Sequence, residues 1–208
     1  MIWAKNYSDA LLPRRAIVLG AGVVGVATAY ALARRGVEVT IIDRSDIAGK
    51  GASFANGAQL SYIYTDALAS NSLLKRLPFL ALGLDSSFRL RPSLDPSQIA
   101  WFMRFIRNCT RQRFLENSLE GLQLGLESQL AMRALLEKHM IEFGHQSAGK
   151  MLVYDDAAAF KSACDMVSAR QSYGAEQEVL NPTEAVNKEA ALAERTGGFI
   201  GAVYSPQE

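Results

Sequence analysis

The sequence predicts an α/β fold: a βαβ unit with a helical insertion, running into the start of a mixed α+β domain. Three observations carry that prediction. Between Ala16 and Arg44 an apolar run, a glycine turn, a helix and a second apolar run follow one another without a break. From Asp95 to Phe143 two amphipathic helical patterns succeed each other. From Gly149 to Tyr204 short β-type runs alternate with helices that carry capping residues.

The first observation is the most specific. Gly20, Gly22 and Gly25 stand in the spacing G-x-G-x-x-G, directly after Ala16–Leu19 and directly before an amphipathic helix. In a Rossmann-like βαβ unit the first glycine permits the tight turn and the second lets backbone approach a pyrophosphate. The third lets helix and strand pack closely. The helix start offers unbonded N–H groups and a partial positive charge to the anion. The run Val37–Ile42 then ends on Asp43, where a carboxylate can accept hydrogen bonds from a ribose diol. Gly20, Ala21, Gly22, Val24, Gly25, Asp43 and Arg44 are therefore candidate nucleotide-binding residues.

The elements follow in order. The first helix spans about Val23 to Arg35, with Ala27, Ala29 and Ala33 keeping its sheet side small and Gly36 stopping it. Residues 45–58 form a small-residue loop rich in glycine. Its Ser53, Asn56 and Gly57, with Gln59 just beyond, could contact a cofactor, and a plain flexible connector reads equally well. Residues 60–84 are apolar and irregular, broken by Pro78. Leu77–Leu84 suits a core or interface role better than docking on lipid head groups through Lys75 and Arg76. Phe88–Pro92 reads as a turn.

Asp95 then caps a helix with Pro96 at its first position. Ile99, Phe102, Met103 and Ile106 recur at helical spacing, widened by Trp101 and Phe105. A longer helix, about Arg111 to Phe143, follows, with Gly121 and Gly125 weakening its middle. The pair is expected to lie antiparallel on a core, its aromatic and methionine stripe buried. Gly149–Asp155 is a strand, Ala157–Ser172 a helix and Gln177–Leu180 a short extended piece. Asn181, Pro182 and Glu184 form a capping-box helix start, and Gly198–Tyr204 is a final strand.

Composition sets the outer bounds. The 208 residues carry 22 Lys and Arg against 21 Asp and Glu, so a nucleic-acid partner is not indicated. Cys109 and Cys164 lack metal-ligand spacing and read as buried thiols of a reducing compartment. No apolar run approaches the ~20 residues needed to span a bilayer, and the first residues lack the pattern of a signal peptide. His139 and His145 share no helical face with acids or thiols. Asp155 and Asp156 suit a helix N-terminus. Arg104, Arg107, Arg111 and Arg113 suit a solvated face. No nucleophile elbow, C-x-x-C pair or Walker pattern occurs, so any reaction would be carried by a cofactor. On the residues alone the βαβ unit serves NAD as readily as FAD, and a nucleotide-binding chain without turnover stays open.

The whole stretch Gly20–Asp43 resembles the amino-terminal motif of the FAD-dependent D-amino acid oxidase superfamily. Ala52–Ser61 (ASFANGAQLS) is similar to the second motif of bacterial D-amino acid dehydrogenases, and residues 89–110 resemble that family as well. The resemblance covers about residues 15–208. It implies FAD as cofactor, with Gly20, Gly22 and Gly25 at the pyrophosphate and Asp43, where most members carry Glu, at the adenosine ribose. Ser53, Asn56, Gly57 and Gln59 would contact the flavin side. It implies oxidation of a D-amino acid substrate to an imino acid and then a keto acid, with electrons passing to a quinone or to oxygen. It also implies a cytoplasmic location, with loose attachment to the inner face of the membrane.

On this reading residues 1–13 are an extension, 14–145 an FAD-binding region and 146–208 a partial substrate domain. Members of the family are about twice as long, and their substrate-binding arginines and tyrosines lie beyond the matching stretch. No catalytic residue is therefore assigned. The chain is expected to be the N-terminal half of a larger flavoprotein, through truncation, gene fragmentation or a partner subunit, a complementing C-terminal chain, that supplies the rest.

Overall fold

Each of the two strands of the βαβ unit alternates its side chains between a helix and open solvent. In a computed structural model, which describes residues 13–81 and 95–208, β1 (Arg15–Leu19) pairs in parallel with β2 (Glu38–Ile42), with Ile17 opposite Thr40 and Leu19 opposite Ile42. The crossover is α1 (Val23–Ala33), which buries Ala29. Val37 is buried just before β2. Ile17, Leu19, Thr40 and Ile42 line the other face, and Leu19 is 81% exposed. Among the described residues no third strand joins this pair. Two strands are fewer than an independent sheet needs, so this face and both edges are where further structure would add.

The chain divides into two compact units, Met1–Gln59 and Leu60–Glu208. This differs from the boundary expected near residue 145. The reason lies in α4 (Arg111–His139), whose buried Leu122 packs with Ile63 and Ala175 on either side of that boundary. Gly121 and Gly125, which weakened the helix on propensity alone, are the points where Tyr62–Thr65 approaches. A Cβ on Gly125 would stand 2.0 Å from the Tyr62 carbonyl oxygen. Ser118 tightens the same contact: its hydroxyl accepts from the Ala67 N–H at 2.9 Å. The helix ends at His139, four residues before the predicted Phe143, and Met140 follows in a left-handed conformation.

The second unit also holds a three-stranded antiparallel sheet in the order β3 (Lys150–Tyr154), β5 (Gly201–Ser205), β4 (Glu178–Leu180). Leu180 and Ala202 share a buried cluster with Ala185 of α6 (Pro182–Lys188). The Asn181–Glu184 capping box is present in both directions, at 2.9 and 2.8 Å. Asp156 caps α5 (Ala157–Gln171) by accepting from Ala159, and Asp155 pairs with Arg195 at 2.5 Å. The expected capping role of that acid pair thus falls on Asp156.

A buried polar chain crosses the unit. Arg170 pairs with Asp66 and donates to Gln177, whose amide donates to the Ser205 hydroxyl at 3.0 Å. Tyr64 meets the same hydroxyl at 3.2 Å, with the Lys150 ammonium 4.2 Å from its ring centre.

Two expectations need correcting. Residues 60–84 contain a helix, α2 (Asn71–Ala81), which the prediction of an irregular stretch missed. Pro78 falls in its last turn, where a missing N–H removes one intrahelical bond instead of breaking the helix. The stripe of α3 (Pro96–Asn108) is not a buried core: none of its residues is buried, and Trp101 is 59% exposed. Asp95 does cap α3, accepting from the Ser97 N–H at 2.9 Å. The N-terminal extension, the Phe88–Pro92 turn and the last residues of Leu77–Leu84 lie outside the described residues.

Candidate functional site

The glycine turn is fixed by hydrogen bonds reaching it from β2 and from the loop that follows. Gly20 has φ +102°, which a side chain would strain, and its N–H donates to the Ile42 carbonyl at 2.7 Å. The Ala21 N–H donates to Asp43 Oδ2 at 2.7 Å, and the Gly49 N–H donates to the Ala21 carbonyl at 2.8 Å. The Val23 N–H donates to Ser53 Oγ at 3.0 Å. A Cβ on Gly25 would sit 1.8 Å from the Gly20 carbonyl oxygen, so the third glycine is required by the close contact of helix and turn.

Asp43 is the hub of this arrangement. Its Oδ1 accepts from the Ser45 N–H at 2.8 Å while Oδ2 holds Ala21. The Ala21 amide, then the Ser45 amide, keep its carboxyl below the ordinary 3.8, so the site carries an anion at neutral pH. A carboxylate has about four lone-pair positions, and two are used here. The remainder can accept from the two hydroxyls of a ribose.

The turn opens on a cavity of about 430 Å³ lined by Leu19, Gly20, Ala21, Gly22, Ile42, Asp43, Arg44, Ser45 and Gly49–Gly51. That volume lies within the roughly 300–1,000 Å³ of small-molecule sites. An α-helix leaves its first amides without intrahelical partners. On α1 that group of donors begins at Gly22, whose added Cβ would meet only Ser53 Oγ, at 3.4 Å. Backbone N–H groups, an anchored carboxylate and the cations Arg44 and Lys50 make a set that fits a ribose-pyrophosphate moiety. Lys50 is also paired with Asp46 at 3.0 Å, on the solvent side.

The sequence-predicted residues divide in three. Gly20, Ala21, Gly22, Asp43 and Arg44 line the cavity. Gly25 and Ser53 support it from behind, through the helix packing and the Val23 amide. Val24, Asn56, Gly57 and Gln59 are not among the lining residues. Asn56 shapes its own loop instead, its Oδ1 accepting from the Ala58 N–H at 2.7 Å and its Nδ2 donating to the Ser53 carbonyl at 3.3 Å. Ser45, Gly49, Lys50 and Gly51 were missed as lining residues. The glycines at 49 and 51 were the available signal, since backbone approaching a ligand needs small residues. Among the described residues no cluster of His, Cys, Asp or Glu could hold a metal ion.

The profile of the DAO family, described as "FAD dependent oxidoreductase", matches residues 15–208. D-amino acid dehydrogenase 2 of Ralstonia nicotianae is 43% identical over 192 residues, which cover 92% of this chain and 45% of the relative. D-amino acid dehydrogenase 2 of Pseudomonas aeruginosa is 34% identical over 198 residues, covering 95% of this chain and 46% of the relative. The chain thus spans about half the length of the curated relatives it matches.

Among solved structures, L-proline dehydrogenase from P. horikoshii aligns with a TM-score of 0.60 at 19% identity, over 94% of this chain and 38% of that one. Glycine oxidase from Geobacillus kaustophilus aligns with a TM-score of 0.56 at 22% identity, over 93% and 39%. Those two likenesses support the fold. With the profile running from the first residue of β1 to the last residue of the chain, the protein belongs to the DAO family of FAD-dependent oxidoreductases.

Proposed function

We propose that this chain carries the adenine-dinucleotide part of a flavoenzyme that oxidises the C–N bond of D-amino acids. The observation that carries the reading is the glycine turn held between Asp43 and Ser53 beside a nucleotide-sized cavity. Asp43 would take the ribose hydroxyls, and the amides at the start of α1 would take the pyrophosphate. Bound FAD would supply the two-electron acceptor for the amine's α-carbon hydrogen. The imino product would hydrolyse to a keto acid, which makes this a step of amino acid catabolism.

The chain's own residues have a narrower task in that reaction. They bind and orient the dinucleotide, and none of those described is proposed to move a proton. The substrate-binding groups would come from a complementing C-terminal chain, packing on the open face of Ile17, Leu19 and Ile42. Electrons would leave to a quinone or to oxygen. Among the described residues no helix is long and apolar enough to cross a membrane. A cytoplasmic location with peripheral attachment to the inner face of the membrane belongs to the proposal.

Flavin absorbance after desalting tests it, on the chain produced alone and together with the second half of the Ralstonia relative. The expected result is stoichiometric flavin and D-amino acid turnover in the co-produced pair. Turnover by the isolated chain would overturn the need for a complementing chain. Absence of flavin from both samples, with retention of NAD instead, would overturn the cofactor assignment.

A further inference from the structure

The loop after β2 reaches back to the glycine turn through three hydrogen bonds in series. The Ala58 N–H donates to Asn56 Oδ1 at 2.7 Å, and Asn56 Nδ2 donates to the Ser53 carbonyl at 3.3 Å. Ser53 Oγ then accepts from the Val23 N–H at 3.0 Å, and Val23 is the first residue of α1. One side-chain amide therefore joins a turn at the far end of the loop to the residue that holds the helix start.

That turn carries strain which Asn56 offsets. Ala58 has φ +50°, and among the described residues other than glycine only Met140 shares the left-handed region. A Cβ disfavours this conformation, so the backbone needs a hold. An Asn side chain that accepts from the amide two residues on supplies one, mimicking a turn of backbone. Asn also has its acceptor and its donors on one planar group. With Oδ1 committed to Ala58, the plane is set and Nδ2 is directed at Ser53. The chain leaves the first unit at Gln59, directly after this turn. Beyond it the Lys150 ammonium holds the Ser61 hydroxyl at 2.9 Å, so the stretch from Ser53 to Ser61 is anchored at both ends.

We infer that Asn56 is a positioning residue for the pyrophosphate site: it fixes Ser53, whose hydroxyl in turn holds the first amide of α1. The inference rests on the proposed nucleotide site. It gives Asn56 a task that requires no contact with the flavin. Asn56 and Ala58 are both exposed, so water competes for their bonds and the effect is a matter of a few-fold.

ADP is the probe, because it carries the pyrophosphate and no flavin ring. Calorimetry on the full chain should show Asn56→Ala binding ADP roughly fivefold more weakly, the scale of one neutral hydrogen bond. Ser53→Ala should lose a similar factor. The double variant should lose no more than Ser53→Ala alone, since residues that act through one another are not additive. Hydrogen exchange at the Val23 amide should quicken in all three variants while amides of α5 keep their rates. Ala58→Gly added to Asn56→Ala preserves the turn without its side-chain hold, because glycine takes a positive φ freely. The ADP loss should persist in that pair.

Unchanged ADP affinity in Asn56→Ala overturns the inference, and so does an unchanged Val23 exchange rate. Losses from Asn56→Ala and Ser53→Ala that multiply overturn it as well, since the two residues then act separately. Recovery of ADP affinity on adding Ala58→Gly does the same, because Asn56 would then serve the turn alone. A parent chain that bound no ADP would sink the nucleotide site itself, and Val23 exchange would still decide the link from Asn56 to Ser53.

Discussion

The Ala21 N–H donates to Asp43 Oδ2 at 2.7 Å, joining the middle of the glycine turn to the end of the neighbouring strand. The acid at the end of β2 therefore does two things. It stands where a ribose would be read, and it holds the backbone that would approach the pyrophosphate. A Glu in its place would carry the carboxylate one methylene further from that amide.

Asp43→Asn should separate those roles. The amide oxygen can still accept from Ala21, but the NH2 group then faces the Ser45 N–H, donor against donor. The expected result is a roughly tenfold or greater loss of ADP affinity, the scale of one charge-assisted hydrogen bond, read by calorimetry. The pH dependence has a definite sign. The carboxyl is lowered from 3.8 in the folded chain, so its contribution is fully present above about that pH. It is lost as pH falls further, through the folded value. ADP affinity that declined between pH 7 and pH 5 would have to come from another group.

Ser53→Ala removes the side-chain acceptor of the Val23 N–H. Loss of such an N-terminal acceptor costs about 0.5–2 kcal/mol. The first turn of α1 should exchange its amide hydrogens correspondingly faster, while amides of α5 in the second unit stay as they were. Equal acceleration in both places would point to global unfolding instead.

Gly25→Ala places a methyl group 1.8 Å from the Gly20 carbonyl oxygen, so backbone must move. Overpacking of this kind typically costs about 1–3 kcal/mol. Gly57→Ala is the control, because nothing lies within 4 Å of its added Cβ. Thermal melts should show a lowered transition for the first variant and one near wild type for the second. If Gly25→Ala melted like the parent, the tight helix–turn contact would not exist in solution.

The two thiols should differ in reactivity. Cys109 is 2% exposed, its Sγ–H donates to the Phe105 carbonyl at 3.4 Å, and burial raises its pKa above the usual 9.0. Cys164 is only half-buried. Ellman's reagent at pH 8 should therefore label one cysteine quickly, identified by mass spectrometry as Cys164. Cys109 should follow only on unfolding. Simultaneous labelling of both would contradict the burial of Cys109.

Much of this protein was legible in its sequence because its signals are local. Glycine spacing, the acid closing β2, Asp95 before Pro96 and the Asn181–Glu184 box each act within a few residues, so their chemistry shows in one dimension. The βαβ unit and most helix limits followed from them, and the resemblance of Gly20–Asp43 and Ala52–Ser61 to known motifs pointed to the DAO family. What local pattern could not state was which apolar stripe is covered. α3 carries the periodicity of a core helix yet only half-buries Phe102, Phe105 and Ile106 and leaves Trp101 and Met103 exposed, while α4 has a weaker pattern interrupted by glycines and buries Leu122. Coverage depends on the backbone of Tyr62–Thr65 reaching Gly121 and Gly125 across some sixty residues of chain, a pairing written in neither segment alone. The loop residues divide for the same reason. Ser53 supports the turn because the loop folds back to the Val23 amide, and Asn56, three residues on, spends its hydrogen bonds on the loop itself. Sequence determined the chemistry available to this chain, and tertiary contact decided which side chains are brought to use it.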